Sequence, residues 1–158
     1  MNEGGFVSGR RSAALAVAEH VSPWGTLKQH LVPVAVGPRS VTEARAAVEK
    51  WLVGAGLPRG SAFLDTVLLA VSELVTNVVR HAPHSSVTDI WIALGGGDLV
   101  IGVADADPTL PDLSDAAVGP GLAIVGELVA DHEGALAAHP VDEDHQAKVM
   151  VARFRIPS

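Results

Sequence analysis

Ser61-Ala62-Phe63-Leu64-Asp65-Thr66-Val67-Leu68-Leu69-Ala70-Val71-Ser72-Glu73-Leu74-Val75-Thr76-Asn77-Val78-Val79-Arg80-His81-Ala82 carries the strongest periodic signal in the chain. Leu64, Leu68, Val71, Val75 and Val78 recur at helical spacing, which predicts a helix from about Ser61 to Arg80. Ala82-Pro83 closes it. Thr66, Ala70, Glu73 and Asn77 line up opposite that stripe, and Glu73, Asn77 and His81 are spaced four apart. Asn and Thr are mediocre residues for a helix interior, and a merely solvated face would favour Lys, Glu, Gln or Arg. Two readings stand. The set is an exposed face near a helix end, or it presents a carboxylate and an amide together to a ligand or cation. Oxygen ligands of this kind suit Mg²⁺, which keeps several waters and takes few protein ligands.

Upstream, His30 to Val36 alternates weakly and contains Pro33, the mark of an edge strand. Ser40-Val41-Thr42-Glu43 reads as a capping box opening a helix with Ala44, Val48, Trp51 and Leu52 on one face. Downstream, Val87–Leu94 and Leu99–Ala104 flank Gly95-Gly96-Gly97-Asp98 and predict a hairpin. A loop runs from Asp107 to Val118. Gly119-Pro120-Gly121 opens a third helix, Leu122 to Val129. Two strands follow, near Ala135–Ala138 and Lys148–Ile156, joined by a polar turn from Val141 to Gln146. The order β-α-α-β-β-α-β-β, rich in hairpins, predicts an α+β two-layer sandwich with a mixed, largely antiparallel sheet. Residues 1–30 read as an N-terminal extension, partly disordered, with a short helix near Arg11–Val21 and a break at Ser22-Pro23-Trp24-Gly25; residues 31–158 form the domain.

The 158 residues fit one domain, and 48% are apolar with only 4% aromatic, so the core is aliphatic. The chain has no cysteine, which excludes a disulfide framework, a zinc ribbon and a thiol nucleophile. No apolar run approaches the roughly 20 residues of a membrane span, and Met1–Arg11 lacks the order of a secretory signal. A cytoplasmic protein without a membrane partner is expected. The formal charge is −7, and no basic footprint for nucleic acid is visible. Between Arg80 and Lys148 there is no Lys or Arg, while Asp89, Asp98, Asp105, Asp107, Asp112, Asp115, Glu127, Asp131, Glu133, Asp142, Glu143 and Asp144 are acidic. Solvation of the surface accounts for such a run in general.

Two further features bear on chemistry. Asp105 follows the apolar strand end Val103-Ala104, where a carboxylate can accept a hydrogen bond from an adenine amino group or simply make a turn. Gly119 and Gly121 open a helix ahead of Leu122, where free N–H groups and the helix dipole bind phosphate; glycine and proline also open helices with no ligand. His81, His84, His132, His139 and His145 lack the His-x-x-x-His or Cys partner that organises a transition-metal site. No nucleophile elbow supports a hydrolase.

Taken in order, these features resemble a known family. Ser72-Glu73-Leu74-Val75-Thr76-Asn77-Val78-Val79-Arg80-His81-Ala82 is similar to the N-box of the gyrase, chaperone, histidine-kinase and mismatch-repair ATPases, which share the Bergerat fold. It most resembles the small anti-sigma-factor serine/threonine kinases of actinobacteria. The resemblance covers about Leu31 to Ile156. It implies a histidine-kinase-like ATP-binding domain that takes ATP or ADP with Mg²⁺. Glu73 then acts on the attacking hydroxyl and Asn77 ligates Mg²⁺, with Arg80 and His81 beside them in the same box. Asp105 matches the residue that reads adenine, and Gly119, Gly121 and Leu122 match the helix start under the phosphates. Lys148-Val149, ahead of the last strand, fits as well. The partners implied are a sigma factor and an anti-sigma-factor antagonist protein, and the oligomer implied is a homodimer.

The sequence departs from the family at the adenine box, Asp105-Ala106-Asp107-Pro108-Thr109, which lacks the usual glycines. It departs again in residues 108–118, the ATP-lid position, which carry Asp112 and Asp115 and no basic residue. A triphosphate brings about four negative charges, and like charges repel strongly where water is thin. Mg²⁺, backbone N–H groups and Arg80 are then expected to offset them. Three functions follow: an anti-sigma-type regulator that phosphorylates Ser or Thr of an antagonist, a catalytically silent nucleotide- or protein-binding module, and an ATP-binding domain serving a separate phosphotransfer protein.

Overall fold

A computed structural model of the chain describes residues 3–21, 27–81, 87–107, 109–114, 119–141 and 147–158, with side chains described from residue 10 onward. The elements in order are α1 (Glu3–Ala18), β1 (Lys28–Ala35), α2 (Ser40–Gly54), α3 (Ala62–His81), β2 (Val87–Gly95), β3 (Asp98–Asp105), α4 (Pro120–Ala130), β4 (Ala135–Pro140) and β5 (Lys148–Arg155). The five strands form one sheet in the order β1-β2-β3-β5-β4. Every pairing is antiparallel. The fold is α+β, with α2, α3 and α4 layered on one sheet face. The expected breaks at Ser22–Gly25 and Ala82-Pro83 lie outside the described residues, as does most of the turn from Val141 to Gln146.

The helix layer follows from the apolar stripes. Val48 and Leu52 of α2, Leu64, Val71 and Val75 of α3, and Val125 of α4 are buried against Ile90, Ile92, Leu99, Ile101 and Phe154 of the sheet. Burial of such side chains contributes roughly 1.5–3 kcal/mol each. By length and hydropathy alone α3 matches a membrane-spanning helix. Most of its apolar residues are instead buried in this core, Leu69 being exposed, and its polar face carries Glu73, Asn77 and Arg80. Ala70, expected on the polar face, is fully buried in the core that α3 shares with α2, α4 and the sheet.

Local chemistry fixes the connections. Ser61 caps α3, its Oγ accepting from the Leu64 N–H at 3.2 Å. Ser40 is not the cap that the sequence pattern suggested. Arg39 holds that position without a side-chain cap bond. Ser40 Oγ accepts from Gly37 N–H at 2.7 Å and lies within donating distance of the Ala35 and Gly37 carbonyls. It ties the end of β1 to the start of α2. Gly96 and Gly97 have φ of 58° and 84°, the left-handed pair that a two-residue hairpin between β2 and β3 requires. Pro33 sits on β1, an edge strand.

The first helix forms a layer of its own. Ala13, Ala16 and Val17 of α1, together with Val21, are buried on the opposite sheet face with Ala93, Val100, Val149 and Val151. Gly102 provides the contact: a β-carbon there would lie 2.3 Å from Val17 Cγ2. Arg10 grips Asp89 of β2 with two hydrogen bonds, at 2.7 and 2.9 Å. His20 and His139 of β4 approach to 2.8 Å between their Nε2 atoms. The boundary expected between residues 30 and 31 falls inside β1.

Candidate functional site

The C-terminal half of α3, the end of β3, the start of α4 and the start of β5 meet around a cavity of about 330 Å³. Asn77, Arg80, His81, Asp105, Gly119, Gly121 and Leu122 all line it. Glu73 stands behind Gly121: a β-carbon on that glycine would lie 2.9 Å from Glu73 Oε2. The absence of a side chain at Gly121 is what lets the Glu73 carboxylate reach the first turn of α4. All eight residues singled out in the sequence are therefore gathered at one place, although they span three segments of the chain.

The start of α4 leaves backbone donors without a side-chain cap. Gly119 is extended, with φ −72° and ψ 169°, and makes no side-chain cap bond. Pro120 has no N–H to leave unsatisfied, so the free donors of the first turn are those of Gly121 and Leu122. Their polarity is reinforced by the helix dipole.

Asp105 is buried, at 5% exposure, and so is Lys148, at 5%. The two are partners in the β3–β5 register. Lys148 Nζ lies 3.3 Å from Asp105 Oδ2 and donates to the Asp107 carbonyl at 2.7 Å. Asp105 Oδ1 accepts from the Asp107 N–H at 2.8 Å. Thr88 Oγ1, on β2, donates to the Ala104 carbonyl at 2.6 Å and pins the strand end that presents Asp105. The Thr109 N–H, bonded to Asp107 Oδ1 at 3.0 Å, holds the Asp107 carboxyl below its usual range, and Lys148 and His81 add to the effect.

Lys148 is the residue that sequence reasoning undervalued. The acidic stretch after Arg80 ends at this lysine, and the antiparallel register returns it to the acidic pocket. Asp107, Thr109, Pro111 and Met150 also line the cavity and were not singled out. Of the expected lid, Pro108 and Asp115–Val118 lie outside the described residues, while Asp112 is held below its usual range by the Ser114 N–H.

The residues present suit a magnesium-bound nucleotide. Among the described residues no group of three His, Cys, Asp or Glu side chains is placed to hold a metal unaided. A Mg²⁺ ion here would combine the Asn77 amide oxygen with waters and phosphate oxygens, the habit of this cation. Free amides at α4 and a buried carboxylate at Asp105 would then face the two ends of such a nucleotide. A larger groove, about 710 Å³, runs between β1 and α2, where His30 stacks on Trp51. Its lining contains no acid and no helix start, so the chemistry favours the smaller cavity.

Comparison with known proteins bears on the family and the fold. No curated protein sequence matches the chain. Among solved structures it is similar to the RsbU and RsbW domains of Rv1364c from Mycobacterium tuberculosis, with a TM-score of 0.58 and 19% identity over 81% of this chain. The chain spans about a third, 32%, of that protein's length. Another similar structure is the Acinetobacter baumannii histidine kinase AdeS, at 12% identity and TM-score 0.48, covering 96% of this chain and 77% of that one. Residues 34–140, more than half of the sequence, match the family described as histidine kinase-like ATPase domain. The chain belongs to the histidine kinase-like ATPase domain family.

Proposed function

We propose that this protein is a nucleotide-binding regulator of the anti-sigma type, which binds Mg-ATP or Mg-ADP in the 330 Å³ cavity and phosphorylates Ser or Thr of an antagonist protein. The observation that carries the reading is the approach of Glu73 to Gly121, with Asn77, Asp105 and the α4 amides around one cavity. Asp105 accepts from the base. The Gly121 and Leu122 amides hold phosphate oxygens. Asn77 supplies an oxygen to the cation. Bound Mg-ATP supplies the phosphoryl group, the bond between its β- and γ-phosphates breaking to leave ADP. Glu73, next to the phosphate end, takes the proton of the incoming hydroxyl, a role worth roughly 10²–10⁴-fold in rate. The remaining work is positioning and charge neutralisation. The partners proposed, a sigma factor and an antagonist, rest on the resemblance of the Ser72–Ala82 segment, as does the homodimer.

A second reading is a silent binding module of the same fold. It is favoured by one observation: Lys148 occupies the Asp107 carbonyl and contacts Asp105, where the family's adenine box has glycines. Calorimetry with ATP and ADP, each with and without Mg²⁺, tests nucleotide binding. Phosphate transfer to a candidate antagonist separates the two readings.

A further inference from the structure

Lys148 changes what the base end of the cavity can recognise. An ammonium has three N–H donors and no acceptor, and an ionised carboxylate has only acceptors. Lys148 gives one donor to the Asp107 carbonyl at 2.7 Å and directs another at Asp105 Oδ2, 3.3 Å away. Its third donor has no acceptor among the described residues. Asp105 has accepted the Asp107 N–H on Oδ1 and faces Lys148 with Oδ2, which leaves lone pairs on both oxygens. Both side chains are buried and both line the cavity. The cavity therefore holds an acceptor and a cationic donor side by side, and a buried donor left unmatched is costly.

A lone carboxylate facing the 6-position of a purine selects adenine in a simple way. It accepts from the N6 amino group, and it repels the O6 of guanine or hypoxanthine. A carboxylate beside an ammonium does not impose that choice. Adenine offers N6–H to Asp105 and N1 to Lys148. A 6-oxopurine offers N1–H to Asp105 and O6 to Lys148. Each edge has one donor and one acceptor for the pair, so neither leaves a buried group unmatched.

We infer that Asp105 and Lys148 together form a purine reader of relaxed selectivity, which accepts 6-oxopurine nucleotides, GDP and IDP, as well as ADP. This rests on the nucleotide-binding reading above. The pair also supplies the only Lys or Arg from the acidic half of the chain to reach this cavity among the described residues.

The test is titration calorimetry of the intact chain with Mg-ADP, Mg-GDP and Mg-IDP. The expected result is that all three dissociation constants fall within about tenfold of one another. A site that pairs with one base edge only rejects the mismatched base by on the order of 10²-fold or more. Lys148→Met is expected to weaken GDP and IDP at least tenfold more than ADP, and Lys148→Arg to keep all three. An ADP preference above tenfold in the wild type overturns the inference and leaves nucleotide binding intact. Equal loss of all three in Lys148→Met overturns it too, since Lys148 would then serve only as charge. Binding of none of the three removes the nucleotide reading along with it. Should Lys148→Met fail to fold, the wild-type ranking alone decides.

Discussion

Glu73 and Gly121 are complementary: the Glu73 Oε2 atom stands 2.9 Å from where a β-carbon on Gly121 would be. Because that atom ends a flexible side chain, Gly121→Ala is expected to move the carboxylate rather than unfold the protein. The stability change expected is about 1 kcal/mol or less. Mg-nucleotide binding should weaken and any phosphate transfer should fall further. Thermal melting, calorimetry and a transfer assay on the same preparation check this, and unaltered binding and transfer would show that Glu73 and the α4 start work independently.

Asn77 and Glu73 lie one helical turn apart on α3 and are expected to differ in function. Asn77→Ala should weaken Mg-nucleotide binding. Glu73→Gln should leave binding nearly intact and lower transfer by roughly 10²–10⁴-fold. If Asn77→Ala binds Mg-ATP like the wild type, Asn77 is only a residue of an exposed helix face.

Asp105 has a structural duty as well as a ligand-reading one. Asp105→Ala strands the buried Lys148 ammonium, and breaking a buried pair in this way costs about 3–5 kcal/mol. It also frees the Asp107 N–H. Chemical denaturation should show a marked drop in midpoint, and ADP binding should be lost in whatever folded protein remains. A variant that melts like the wild type would mean that the Asp105–Lys148 contact adds nothing to the fold.

The α1 end of the molecule should respond to acid. Burial of His20 holds its pKa below the usual 6.5; His139 and Arg153 push the same way and Glu19 opposes them. Two Nε2 atoms 2.8 Å apart need one ring to donate and the other to accept, so at least one ring is neutral. The unfolded chain protonates His20 from about pH 6.5 downward, before the folded chain does. Stability from this contact is therefore present above pH 6.5 and lost as the pH falls through the lower folded value. Melting temperature measured between pH 7.5 and 5 should fall more steeply in the wild type than in His20→Gln. Parallel curves would show that the pair is not a source of acid sensitivity.

Much of the fold was legible because its signals are local. The stripe from Leu64 to Val78, the Gly96-Gly97 turn and Pro33 on an edge strand each depend on a few neighbouring residues. The capping role expected of Ser40 failed for a local reason: its hydroxyl found the Gly37 N–H and nearby carbonyls before it could cap. Residues 3–21 were harder. Their buried face is made of small residues, Ala13, Ala16 and Val17, and only the notch at Gly102 across the sheet explains why small residues are needed. At the candidate site, Glu73, Asn77 and Asp105 were visible through spacing and strand position. Lys148 was visible only by its resemblance ahead of the last strand; its pairing with Asp105 was not, because that depends on the register that sets the two opposite each other, and register between strands so far apart in sequence leaves no mark on either one.

The place of β5 in the sheet has a consequence for how the protein is made. β5 comes after β4 in the chain but lies between β3 and β4 in space. Synthesis completes β4 before its neighbour β5, and β3 has one side bare until β5 follows. The half-made sheet thus exposes two unpaired edges until residues 148–155 emerge, a state open to pairing with other nascent chains. Lys148 arrives with that same strand. The nucleotide cavity is thus among the last parts of the molecule to be completed, and nascent chains stalled before residue 148 would carry Glu73, Asn77 and Asp105 without a finished cavity to hold them together.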